Sequence, residues 1–265
     1  MRGQPKILVN TPDIELWPAG LLRGRSNADA RILSCARHVL RRKRDGRYLA
    51  AELPHGLVPL IARFEHEVGL DDALRALQAR QPHGRAAGVE RIGHLPLDRL
   101  QERLDAIGLD GAYAERTGLV LVPEPDRLAF AGLDRYRRPL WLRGDAARAW
   151  EHMRQAAWRD DIVLEAISGY RSHVYQLGIF ERKLARGLDV PAILRVNAAP
   201  GYSEHHSGRA LDIGAPGEPP AEESFENTNA FAWLRDNAAG HGFVMSYPRD
   251  NPHGITYEPW HWRHG

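Results

Sequence analysis

Ser203-Glu-His205-His-Ser-Gly208-Arg-Ala210-Leu-Asp212 and, nearer the C-terminus, Glu258-Pro-Trp260-His261 offer two imidazoles, a carboxylate able to ligate and a spare carboxylate. That donor set suits metal-assisted hydrolysis. Three protein ligands leave one position of a tetrahedral zinc ion open to water, which distinguishes catalytic sites from closed structural ones. The spare glutamate can then serve as base.

His205 and Asp212 are seven residues apart, so an uninterrupted strand would send them to opposite faces. A turn must intervene, and Gly208 can supply it because glycine reaches left-handed backbone angles at little cost. Ala210, Asp212 and Gly214 would then share one strand face. Glu258 and His261 have the i, i+3 spacing of a helical turn, yet Pro259 pushes Glu258 toward extended geometry. The pair therefore belongs at a strand end or on a tight bend. Ser168-Gly-Tyr-Arg171-Ser172 forms a third cluster at a strand-to-helix junction, where a helix N-terminus beside an arginine suits an oxyanion or a carboxylate. Taken singly, each has a structural alternative: a packed histidine, a surface patch anchored by Trp260, an arginine in an ion pair.

The elements that must position these residues read differently in the two halves of the chain. Up to about Thr117 the apolar spacing predicts helices. Ser26 can cap one carrying Ile32, Leu33, Ala36, Val39 and Leu40 and ending at Asp45-Gly46; Leu57, Leu60, Ile61, Phe64 and Val68 make a second stripe. Asp71 can cap a third with Leu74 and Leu77, and Leu97, Leu100, Leu104 and Ile107 form a fourth. From about Leu119 the pattern mixes helix and strand. Helices are expected after Asp145, after Ser172 as far as Gly187, and over Asn229 to Asn237; strands are expected over Ile162 to Ile167, Gly242 to Tyr247 and Ile255 to Glu258, with a surface loop from Ala215 to Glu226.

In its order of motifs the second half resembles the zinc D-alanyl-D-alanine carboxypeptidases of the VanY type, relatives of the D-Ala-D-Ala dipeptidases and of the hedgehog signalling domain. The pattern S-x-H-x-x-G-x-A-x-D is met by Ser203, His205, Gly208, Ala210 and Asp212, and E-x-W-H by Glu258, Trp260 and His261. S-G-Y-R-S precedes both. The resemblance covers about residues 119–265 and implies an α+β fold, a small antiparallel sheet flanked by helices. It implies one Zn²⁺ held by His205, Asp212 and His261, with Glu258 as base and Arg171 sharing the oxyanion charge. Ser203 would bind the substrate near its terminal carboxylate. Gln176, Tyr247 and Trp260 are further candidates for the substrate pocket. His206 is the rival ligand, but the motif spacing selects His205; His173, His241, His253 and His264 are read as bystanders.

The implied reaction is hydrolysis of the C-terminal D-Ala-D-Ala bond of peptidoglycan stem peptides, a D,D-carboxypeptidase. The same motifs would serve an L,D-carboxypeptidase, a D,D-dipeptidase or a peptidoglycan endopeptidase, and the hedgehog relatives raise a non-catalytic, zinc-stabilised binding module. Residues 1–117 are expected to form a helical region of unassigned role and residues 118–265 the catalytic domain.

Composition is consistent with this reading. At 265 residues, 43% apolar and 26% charged, the chain can bury a substantial core, and a net charge of +2 argues against a nucleic-acid partner. The run Arg41-Arg42-Lys43-Arg44 could touch phosphate or an anionic wall polymer, or be a solvated helix end. The single Cys35 excludes an intramolecular disulfide and a multi-cysteine metal site. No apolar run reaches the ~18 residues of a membrane span. The first ten residues lack the apolar core of an export signal, whereas the implied substrate lies in the periplasm or cell envelope; a cytoplasmic role in recycling wall peptides stays open.

Overall fold

A computed structural model of the chain describes residues 6–24, 26–79, 93–98, 100–109 and 111–265. Residues 1–5, part of the stretch read for an export signal, lie outside them. Contacts divide the chain into two units, Met1–Pro96 with Pro125–Ala129, and Leu97–Glu124 with Phe130–Gly265.

The first unit is built on an antiparallel sheet, not on helices. Strands β1 (Ile7–Asn10), β2 (Ile14–Pro18), β3 (His38–Arg42), β4 (Tyr48–Leu53) and β5 (Gly56–Pro59) pair as successive neighbours. The first residues of β6 (Arg127–Leu133) pair with β1. Helix α1 (Asn27–Cys35) starts as expected, with the Ser26 side chain accepting from Asp29 N. It stops before Val39 and Leu40, which lie in β3 and are fully buried. Val39 packs with Leu33 of α1, while Leu40 packs with Leu70 and Ala73 of helix α2 (Leu70–Gln78). A strand covered on both faces loses its polar alternation, so Leu33, Ala36, Val39 and Leu40 imitate a helical stripe. The expected second helix is likewise replaced by β5 and a short 3₁₀ turn at Phe64–His66. The basic run sits at the end of β3, where Arg41 pairs with Glu15, and Arg42 with Glu67 and Asp45.

The second unit is α+β. Helices α3 (Leu100–Ala106) and α4 (Tyr113–Thr117) share a buried cluster with Leu119, Phe180, Ile193, Ala198, Tyr247 and Ile255. After β7 (Pro139–Leu142), helix α5 (Gly144–Arg159) buries Ala146, Trp150, Met153 and Ala157, a 4-3-4 spacing that lines one face. Asp145 stands in its first turn rather than at the cap. Strand β8 (Glu165–Ser168) leads to helix α6 (His173–Leu184), capped by Ser172 Oγ accepting from Tyr175 N. Helix α7 (Val190–Val196), strand β9 (Ala210–Gly214), helix α8 (Asn229–Asn237) and strands β10 (Phe243–Met245) and β11 (His261–His264) complete it. The strands form an antiparallel sheet in the order β10-β11-β9-β8. Ile255 to Glu258, expected as a strand, is irregular; pairing begins only at His261, beyond Pro259, which has no N–H to donate to a ladder. Among the described residues no helix is long and apolar enough to cross a membrane.

Candidate active site

Sheet register places the chemistry. In the β9–β11 ladder Asp212 is the direct partner of His261, and in the β8–β9 ladder Ser168 is the partner of Asp212 beyond a bulge. Directly opposed residues project from the same face, so Ser168, Asp212 and His261 form one row across three strands. His205 reaches this row from a 3₁₀ turn, Glu204–Ser207, that ends at Gly208 with φ 68°. The intervening turn is thus the one the seven-residue spacing demands. Gly169 lets the neighbouring segment come close: a Cβ there would stand 2.9 Å from Trp141 O.

His205, Asp212 and His261 are buried, and one ligand atom from each lies within 4.8 Å of the others. Asp212 Oδ1 is 3.2 Å from His205 Nε2 and 3.1 Å from His261 Nδ1. Ligands about 2.0–2.1 Å from a tetrahedral zinc ion stand roughly 3.3 Å apart, so both spacings fit zinc. Two imidazoles and a carboxylate are also zinc's usual catalytic donors. The outer nitrogens are engaged: His205 Nδ1–H donates to Gly169 O at 2.7 Å and His261 Nε2–H to Glu204 Oε2 at 3.0 Å.

Burial, with Arg171 nearby, pushes His205 down to about 4, leaving it neutral and able to ligate. Burial pushes Asp212 upward, but His205 and Arg171 outweigh it and hold this carboxylate well below the usual range. His261 is raised to about 10, because hydrogen bonds to Asp212 and Glu204 overcome the effect of burial. Glu258, its side chain 13% exposed and its Oε2 3.8 Å from His261 Nδ1, is raised to about 7 by burial. A carboxylate tuned near neutrality beside a ligand cluster has the property of a general base.

Arg171 donates from Nε to Ser168 Oγ at 2.9 Å and from Nη2 to Asp212 Oδ2. Its guanidinium lines a cavity of about 270 Å³ together with Gln176, Ser203, Tyr247, Glu258, Trp260 and the three candidate ligands. The residues read from the sequence as ligands, catalytic groups or substrate contacts therefore all line one pocket, which Asn197 and Thr256 also line. Gln176 is 1% exposed; its Nε2 donates to Ala198 O at 3.0 Å, and its buried Oε1 has no hydrogen-bond partner among the described residues. Tyr247 stacks obliquely on His261, ring centroids 4.8 Å apart, and burial raises its phenol.

None of the four histidines read as bystanders lines the pocket. Two nonetheless touch its surroundings: the His253 ring packs edge-on against Tyr247, centroids 6.2 Å apart, and His173 joins a polar cluster behind the site. Glu124, 3% exposed, accepts from Tyr170 OH and from His173 N at 2.8 Å, gripping the residues that flank Arg171-Ser172. The His173 ring packs edge-on against His206, centroids 4.4 Å apart, and His206 Nδ1–H donates to Arg171 O at 2.7 Å. His206 thus supports the site from behind. Glu124 and Glu204 were missed from the sequence, since neither has a fixed spacing to a ligand; the available signal was α6, whose buried face carries His173 and Gln176 where apolar residues are the norm.

Residues 139–265 match the family model "VanY: D-alanyl-D-alanine carboxypeptidase". The "Putative carboxypeptidase YodJ" of Bacillus subtilis is 38% identical over 128 residues, 47% of this chain and 46% of that protein. The "Bifunctional D-Ala-D-Ala dipeptidase and D-Ala-D-Ala carboxypeptidase VanXYC" of Enterococcus gallinarum is 29% identical over 147 residues, 53% of this chain and 75% of that one. A solved structure of the LD-carboxypeptidase LdcB is 32% identical, covering 50% of this chain and 64% of that chain at a TM-score of 0.47. The chain thus spans less than half the length of YodJ. The motifs converge on one buried site inside the stretch, residues 139–265, that is similar to the VanY family of D-alanyl-D-alanine carboxypeptidases.

Proposed function

We propose that the protein is a zinc-dependent D,D-carboxypeptidase that removes the terminal D-alanine from peptidoglycan stem peptides. The observation that carries this reading is the convergence of His205, Asp212 and His261 with Glu258 at one wall of a polar cavity. A bound Zn²⁺ would supply Lewis acidity and lower the pKa of water at its open position. Glu258 accepts the proton of the attacking water and returns it to the leaving amine. Arg171, held by Ser168 and Asp212, presents positive charge where the oxyanion develops. Ser203, which lines the cavity, would bond the substrate near its terminal carboxylate, and Gln176 Oε1, without a partner among the described residues, would accept a peptide N–H. Trp260 and Tyr247 serve as walls. The family's activity and the names of YodJ and VanXYC support a peptidase, and a stem peptide in the cell wall is its proposed partner.

The test is to incubate the zinc-loaded protein with a pentapeptide ending in D-Ala-D-Ala, a tetrapeptide ending in one D-Ala, and free D-Ala-D-Ala, identifying products by mass. Pentapeptide losing a single alanine is the expected result. Cleavage of the tetrapeptide alone would make it an L,D-enzyme, cleavage of the dipeptide alone a dipeptidase, and cleavage of none a binding module.

A further inference from the structure

The family pattern leaves the position between Ser203 and His205 open, yet Glu204 makes contacts that a variable surface residue would not. Its Oε2 accepts from His261 Nε2–H at 3.0 Å, and its Oε1 lies 3.0 Å from Arg263 Nε. His261 and Arg263 are two apart on β11 and so project to the same face. Glu204 does not line the cavity, and it lies beyond His261 from Asp212.

The two imidazoles are supported in opposite senses. His205 gives its Nδ1–H to the neutral carbonyl of Gly169 and turns Nε2 toward Asp212. His261 gives its Nε2–H to a carboxylate and turns Nδ1 toward Asp212. A carboxylate only accepts, so both nitrogens of His261 donate here; a bound ion would displace the proton on Nδ1, while the bond to Glu204 keeps the one on Nε2 and so leaves Nδ1 as the donor to the ion. A charged acceptor also strengthens the imidazole as a ligand, more than a carbonyl does. Glu204 and His205 are neighbours on one 3₁₀ turn, so that turn delivers one ligand and orients the other.

We infer that Glu204 is a positioning residue for the metal: it fixes His261 as an Nδ1 ligand and raises its donor strength, with Arg263 anchoring the carboxylate. This rests on the zinc reading above. Partners of this kind are worth about 10–100-fold in metal affinity.

The experiment is a zinc titration against a competing chelator, using the full chain as wild type, Glu204→Gln and Glu204→Ala, with thermal unfolding of each metal-free protein as a folding control. Glu204→Ala should bind zinc about 10–100-fold more weakly, and Glu204→Gln, which keeps an acceptor but loses the charge, should fall between it and wild type. Affinity of Glu204→Gln within about twofold of wild type would overturn the inference, and so would unchanged affinity in Glu204→Ala. Failure of the wild type itself to bind zinc would instead overturn the metal reading.

Discussion

Glu258→Gln separates chemistry from structure at this site. Glutamine keeps the volume of the side chain, and Glu258 is not one of the three clustered ligands, so zinc should stay bound at one ion per chain. Removing a general base costs typically 10²–10⁴-fold, or about 3–5 kcal/mol of transition-state stabilisation, and kcat for D-alanine release should fall by that factor. Stability should move the other way. Burial raises Glu258 from the ordinary glutamate value to about 7, equivalent to roughly 3 kcal/mol of resistance to ionisation. A carboxyl whose folded pKa is raised destabilises the fold once pH exceeds its unfolded value near 4.5, and fully so above about 7. Metal-free Glu258→Gln should therefore be more stable than wild type at pH 8, by an amount on the order of 2–3 kcal/mol, with the gain vanishing near pH 4. A bound dication pulls the carboxyl lower, so the acid limb of the activity profile should lie below 7 in the zinc form and disappear in the variant. Denaturant unfolding at the two pH values and D-alanine release across pH 5–8 measure both effects. Wild-type turnover with zinc retained would refute the assignment of Glu258 as base; equal stability at pH 8 would refute the argument from burial.

Leu104→Ala tests whether residues before the family-matched stretch belong to the second unit's core. Leu104 is 2% exposed among Phe180, Ile193 and Tyr247, so the change should cost about 2–5 kcal/mol by denaturant unfolding, and a cost under about 1 kcal/mol would place α3 outside that core. Asp145, in the first turn of α5, is held below the usual carboxylate range because the Ala146 N–H, Arg209 and Arg143 outweigh burial. Its contribution is present above its unfolded value near 3.8 and is lost as pH falls through its lower folded value. With the side chain 31% exposed, Asp145→Asn should cost about 0.5–1 kcal/mol at pH 7 and little at pH 2; an equal cost at both pH values would contradict the electrostatic account.

The sequence carried the site further than it carried the first unit. Motif spacing brought out His205, Asp212 and His261, because a strand partner and a glycine-terminated turn leave local marks: Gly208 adopts the left-handed angles that the spacing requires, and Asp212 pairs with His261 in register. Glu204 and Glu124 leave no such mark. Each acts across a sequence separation, 57 residues to His261 and 46 to Tyr170, and single carboxylates at such distances look like surface residues until the chain is folded. Of the helices expected before residue 117, the third and fourth form as α2 and α3, whereas the first is cut short and the second replaced for a different reason. Val39 and Leu40 are both buried, against helices on opposite faces of one sheet, and the alternation that announces a strand exists only when one face meets water. Apolar spacing then fitted a helix by coincidence. In the second unit, α6 was legible because Ser172 caps it and Gly187 follows its end.

The central claim is a single zinc ion held by His205, Asp212 and His261 and coupled to hydrolysis of D-Ala-D-Ala. Its most direct test is to strip the protein with a chelator, add zinc in steps and follow D-alanine release from a pentapeptide, with Asp212→Ala carried in parallel. Activity should rise from zero and break at one ion per chain, and the variant should neither hold zinc nor turn over. Full activity in the stripped protein, or stoichiometric zinc held by Asp212→Ala, would contradict it.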